Sequence, residues 1–189
     1  MKTSLLTTGP YMDMLFDGII DDLTGYKLAD GKIPLIALDD VGAYSLWIFD
    51  NPSESAGLNL EVATDQVSFA ELAATFTKVT GKQGMHKAVP LEEYLVKAEP
   101  YPGAYSNWIV KLDVPRDESF MTWREIFAAW WRYWGEGKGA TRNLAFLDRI
   151  HGSRIPSLEA WMRLKNYDGR PRSVLKDLHE HRKNGVTED

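Results

Sequence analysis

The alternation of short apolar runs with capped helical segments over residues 1–98 most constrains the fold. Residues 4–8 form a buried-strand pattern that stops at Gly9-Pro10, a breaker pair. Residues 11–16 resume an apolar pattern that suits either a short helix or a packed loop. Asp30-Gly31 is a turn signal before the strand-like residues 32–38, and Asp39 and Asp40 then stand as helix caps for residues 41–49. Residues 58–63 alternate as a half-buried strand. Ser68-Phe69-Ala70-Glu71 is a capping box, opening a helix with Leu72, Phe76 and Val79 on one face and Gly81 at its end. A strand over residues 85–89 and a helix over 91–97, entered through Pro90, complete the series. Strand and helix in alternation predict an α/β fold, with these strands at the edge of a larger sheet.

From Glu99 the pattern changes to a mainly helical region covering residues 99–189. Thr122-Trp123-Arg124-Glu125 is a second capping box. The helix behind it carries Ile126, Phe127, Trp130, Trp131 and Trp134, an aromatic face too wide to leave in water. Core packing, an apolar ligand pocket and a partner interface all satisfy such a face. Tyr105, Trp130 and Trp134 are its candidate substrate- or partner-facing residues.

Several chemistries are excluded or weakened by the residues themselves. The 189 residues contain no cysteine, which removes disulfides, thiolate metal sites and thiol nucleophiles together. A net charge of −5 without a long basic run argues against direct nucleic-acid binding. No window approaches the roughly 18 apolar residues of a membrane span, and the first ten residues lack the core of a signal peptide. A cytoplasmic location is expected, or a nuclear one for a regulator. The histidines at 86, 151, 179 and 181 lack metal-ligand spacing, so no metal site is expected. No Gly-x-Ser-x-Gly elbow is present, nor any Ser, His and Asp that sequence alone can group. Gly135-Glu136-Gly137-Lys138-Gly139-Ala140 fits the dinucleotide fingerprint formally, but a Trp-rich helix precedes it where a strand is required. It reads as a helix–helix loop. No tyrosine has a lysine four residues on, so the Tyr-x-x-x-Lys acid–base pair of short-chain dehydrogenases is absent.

The segment Leu5-Leu6-Thr7-Thr8-Gly9-Pro10-Tyr11-Met12-Asp13 resembles the NmrA-like family of atypical short-chain dehydrogenases. Further matches follow in the family's order. They are Gly31-Lys32-Ile33-Pro34-Leu35-Ile36-Ala37-Leu38-Asp39-Asp40-Val41-Gly42-Ala43, then Val79-Thr80-Gly81-Lys82 with Val89-Pro90-Leu91-Glu92-Glu93-Tyr94-Leu95, then Ser157-Leu158-Glu159-Ala160-Trp161. Family members build several strand–helix units before the first of these segments. The resemblance therefore implies an edge portion of a Rossmann-like sheet plus a helical C-terminal region, lacking the N-terminal dinucleotide-binding half. It also implies NAD(P) as cofactor, with Gly9, Pro10, Tyr11 and Met12 facing its nicotinamide end, although Tyr11 and Met12 equally suit plain packing at the sheet edge. Without a fingerprint turn, NAD(P) binding by this chain alone is expected to be weak. Two functions follow: the substrate-side half of an oxidoreductase for a small apolar carbonyl or enone, or a non-catalytic redox sensor that binds a protein partner. A fragment without activity is the third possibility. An open sheet edge would favour a homodimer.

Overall fold

The computed structural model describes residues 3–17, 31–107, 117, 119–135 and 141–172. Strand β1 (Leu5–Thr8) pairs in parallel with β3 (Asn59–Val62), with Leu5 opposite Asn59 and Thr8 opposite Val62. Strand β2 (Ile33–Leu35) pairs antiparallel with β4 (Asp65–Val67). Between β1 and β2, a 3-10 helix spans Met12–Asp17, which settles the helix-or-loop choice for that segment. Seven α-helices follow among the described residues: α1 (Leu38–Asp50), α2 (Pro52–Ser55), α3 (Phe69–Thr80), α4 (Leu91–Ala98), α5 (Trp123–Gly135), α6 (Leu144–Ile150) and α7 (Leu158–Leu164). The α/β fold expected from the alternation is present, with small sheets and more helix than strand.

Both capping boxes form. Ser68 Oγ accepts the Glu71 N–H at 3.2 Å while Glu71 takes the Ser68 N–H at 2.7 Å, and Gly81 closes α3 in the left-handed region at φ 72°. Thr122 and Glu125 make the same reciprocal pair at 3.3 and 2.7 Å. Three local expectations are corrected. Helix α1 begins at Leu38 instead of Val41, so Asp39 and Asp40 lie inside its first turn and Ala37 is the cap residue. Residues 83–88 form no strand. Gly84 N–H donates to Thr77 Oγ1 at 2.9 Å, and the His86 ring packs on Phe69 at 5.6 Å, so this segment is tied to α3 by side chains and not by a ladder. Strand β4 was not expected, because Asp65-Gln66-Val67 holds one apolar residue and carries almost no periodic signal.

The larger core gathers the 3-10 helix, β2, α3, α4, α5 and α7 around Met12, Leu35, Trp131, Trp161 and Met162. The second lies between β3, α1 and α6, around Ile36, Tyr44, Leu60, Val62 and Leu147. Among the described residues, β1 has β3 as its one strand partner. Leu5 of β1 and, on α1, Leu46 and Phe49 are exposed, at 58%, 58% and 79%.

Tyr44 is fully buried, and its hydroxyl has no hydrogen-bond partner among the described residues. Burial pushes its pKa up to about 12, with Arg154 opposing and Asp40 and Asp148 adding to the rise. An unfolded chain ionises this phenol near 10 and the folded one near 12, so stability falls as pH climbs through that interval. The substitution Tyr44→Phe removes an unpaired buried hydroxyl without opening a large cavity. It is expected to raise stability by about 1 kcal/mol and to flatten the alkaline limb. Thermal melts between neutral pH and pH 11 read both effects; a lower Tm in Y44F would show that the hydroxyl has a partner in solution.

A candidate apolar site at the end of the first strand

The loop that leaves β1 is fastened residue by residue to the chain leaving β2. Pro10 O accepts the Ile36 N–H at 3.0 Å, and Met12 N–H donates to Ile36 O at 2.8 Å, so Tyr11 and Ile36 form a parallel bridge. Gly9 permits the approach, since a Cβ there would stand 1.8 Å from Pro34 O. Asp13, 8% exposed, then accepts the Leu38 N–H at 3.1 Å. Thr64 Oγ1 accepts the Ala37 N–H at 2.9 Å. Two side chains from other segments thus cap α1, whose own cap residue, Ala37, has no side-chain acceptor.

Of the four candidate cofactor-facing residues, Tyr11 is 37% exposed and Met12 is wholly buried. Gly9 lies against β2. Pro10 lines an apolar cleft whose walls come from β2 (Ile33, Leu35), from Val67 at the end of β4, from the start of α3 (Ser68, Phe69, Leu72) and from Trp130 of α5. The fold therefore brings Pro10 and Trp130, 120 positions apart in the chain, to one place. It does not bring Tyr105 or Trp134 into that lining. Tyr105 pairs with Thr122 and meets the Phe120 ring edge at 6.3 Å. Trp134 is 5% exposed and stands edge-on behind Trp130, with ring centroids 5.7 Å apart. The cleft encloses about 10 Å³, room for one water-sized body. A larger guest must displace the half-buried Trp130 ring.

Sequence reasoning placed Ser68 in a capping box and missed that the same residue borders the cleft, whose exposed lining is apolar. It missed a polar cluster as well. Asp40, 4% exposed, meets His151 Nε2 at 3.1 Å, accepts the Ile155 N–H at 3.1 Å, and takes the Thr64 hydroxyl at 3.4 Å. Arg154 donates to Thr64 O at 2.7 Å and to Asp148 at 2.7 Å. The fold does group a serine, a histidine and an aspartate here, because Ser153 Oγ lies 3.5 Å from His151 Nδ1. That separation is beyond the roughly 2.6–3.2 Å of an activated nucleophile, so the group ties segments together. Among the described residues, no set of three or more His, Asp or Glu can hold a metal ion. His179 and His181, and residues 136–140 of the formal fingerprint, lie outside the described residues. The stretch before that fingerprint is helix α5, so its strand context is missing.

A bound NAD(P) needs a helix N-terminus for its diphosphate. Helix α1 opens with Asp39 and Asp40, and its first N–H groups already serve Asp13 and Thr64. Helix α3 opens on the Ser68–Glu71 box. Neither of these helix starts fits the diphosphate.

The model of the NmrA-like family matches residues 12–133. A nucleoside-diphosphate-sugar epimerase from Staphylococcus aureus is similar in structure, with 17% identity and a TM-score of 0.60 over 84% of this chain and 50% of its own. NmrA, a negative transcriptional regulator solved with NADP, gives 16% identity and a TM-score of 0.54 over 99% of this chain and 56% of its own. Triphenylmethane reductase from Citrobacter sp., complexed with NADP(H), gives 20% and 0.51 over 81% of this chain and 50% of its own. The chain thus spans about half the length of each of these structures. No protein of curated function matches it in sequence. No helix among the described residues is long and apolar enough to cross a membrane.

Proposed function

The chain belongs to the NmrA-like family, and we propose that it forms the substrate-side part of an NAD(P)-linked oxidoreductase acting on a small apolar carbonyl or enone compound. The observation that carries this reading is the meeting of Pro10 with Trp130 in one apolar cleft just past the carboxyl end of β1. Ligands of open α/β sheets bind outside the carboxyl ends of strands. Two of the similar structures hold NADP or NADP(H), which supports the cofactor class. Because the N-termini of α1 and α3 are filled by acidic and hydroxyl caps, the diphosphate has to be held by a dinucleotide-binding unit other than the described residues. The chain alone is accordingly expected to bind NADPH weakly.

The test joins both requirements. The chain, with NADPH in large excess to offset weak binding, is assayed for NADPH oxidation against a panel of apolar ketones, enones and quinones. The substitution Trp130→Ala is expected to raise KM at least tenfold, about 1.4 kcal/mol of ligand contact, while Tm moves by only a few degrees. Turnover insensitive to Trp130, or none across the panel, sinks the reading.

One observation favours the regulatory alternative. The Tyr-x-x-x-Lys pair is absent, and α5 presents Ile126 and Tyr133 to solvent at 37% and 47%. For a redox sensor, Ile126→Ala and Tyr133→Ala would abolish NADPH-dependent recovery of a partner; unchanged recovery counts against it.

A further inference from the structure

We propose that β1 and α1 form a homodimer face, on which the outer edge of β1 pairs antiparallel with the same strand of a second copy. The backbone prepares this edge. Leu5 N–H donates to Leu58 O at 2.9 Å, and Thr3 O accepts the Gly57 N–H at 3.1 Å. Residues 3 and 5 thus turn main-chain groups toward β3 and the segment that leads into it. Along a strand these groups alternate between the two edges. Those of Ser4, Leu6 and Thr8 therefore point to the opposite edge, where no other strand lies among the described residues. An edge of this kind is a template for a further strand.

Beside it runs a groove of about 600 Å³ between β1 and the helices α1 and α2, walled by Leu6, Ile48 and Phe49. Phe49 is 79% exposed. Three serines share the lining, and each has turned its hydroxyl hydrogen onto the chain's own backbone. Ser4 Oγ donates to Ser55 O at 2.8 Å, Ser45 Oγ to Val41 O at 3.0 Å and Ser55 Oγ to Ile48 O at 2.9 Å. A small carbonyl or anionic ligand would find no side-chain hydrogen to hold its oxygen there. An extended strand fits better, since it brings N–H and C=O groups in the alternation that β1 presents.

A second copy matches the face throughout. Antiparallel pairing about a two-fold axis beside Leu6 sets Leu6 against Leu6 and Ser4 against Thr8, so each outward group meets its complement. The two-stranded sheets merge into one of four strands, β3-β1-β1-β3, with both copies of α1 on the same side. The stripe Ser45, Ile48 and Phe49, at helical spacing, then faces its own copy across the axis. No charged residue lines the groove, so the net charge of −5 on each chain puts no like-charge contact inside it.

Sedimentation velocity on the full chain, from about 1 to 100 μM to suit a small interface, is expected to show a species of twice 21.4 kDa that dissociates on dilution. Phe49→Lys puts a charge into the stripe at a position the monomer leaves exposed. It is expected to raise the dissociation constant about tenfold or more, with an unchanged thermal melt at low concentration. Amide exchange followed by NMR on the unmodified chain locates the contact, whether or not F49K folds. The Leu6 N–H is expected to be protected at high concentration and exposed on dilution, while the Leu5 N–H, bonded to Leu58, stays protected at both. A chain that is monomeric at about 100 μM, or that forms an open series of larger oligomers, overturns the proposal. So does a dimer that F49K leaves intact, or one whose Leu6 amide exchanges as fast as in the monomer.

Discussion

Gly9→Ala is expected to destabilise the protein by roughly 3–5 kcal/mol, the range of severe overpacking, and to lower Tm by about 10 °C for a chain of this size. The added Cβ would stand 1.8 Å from Pro34 O, 3.0 Å from Pro34 C and 3.1 Å from Pro34 Cγ. The first two are backbone atoms of β2, where Pro34 stands opposite Gln66 in the ladder. Moving them would break the bonds of Pro10 and Met12 to Ile36 and carry Tyr11 away from the end of β1. The same substitution inside α1 supplies the control. A Cβ at Gly42 meets nothing within 4 Å, so Gly42→Ala is expected to stabilise the helix by about 0.5–1 kcal/mol. Paired calorimetric melts read the two signs directly. A G9A chain as stable as the parent would mean that β1 and β2 do not approach as described.

The contrast between these glycines shows where sequence reasoning reaches and where it stops. The Ser68–Glu71 and Thr122–Glu125 boxes were legible because both partners lie within one helical turn. The alternation of strand and helix made the α/β class legible, but not which strands pair: among the described residues they form two two-stranded sheets. Gly9, by contrast, looks like an ordinary turn glycine until Pro34, 25 positions away, closes on it. The cleft was half legible. Pro10 and Trp130 were singled out for separate reasons, one from the family pattern and one from the aromatic stripe. Their junction depends on how α3 and α5 pack, which no local signal encodes. The stripe itself divides: Trp131 and Trp134 are core, and Trp130 is left at the cleft.

The polar cluster around Asp40 was illegible for the same reason, with partners 24 to 115 positions away. Its removal is expected to have the other large effect. Asp40→Ala leaves the Ile155 N–H, the Thr64 hydroxyl and the His151 ring without their acceptor in a site where Asp40 itself is 4% exposed. Taking one partner from a buried polar group costs its desolvation without return, about 3–5 kcal/mol. His151→Ala is expected to cost less, since its side chain is 19% exposed and water can reach the carboxylate in its place. The double variant separates the pair from its surroundings. If His151 acts mainly through Asp40, the D40A and H151A effects will fall short of additivity by about 1 kcal/mol or more. Urea denaturation of the four proteins measures this. Strict additivity would mean that Asp40 serves the backbone of residue 155 and the Thr64 hydroxyl, and that the 3.1 Å contact with His151 contributes no net stability.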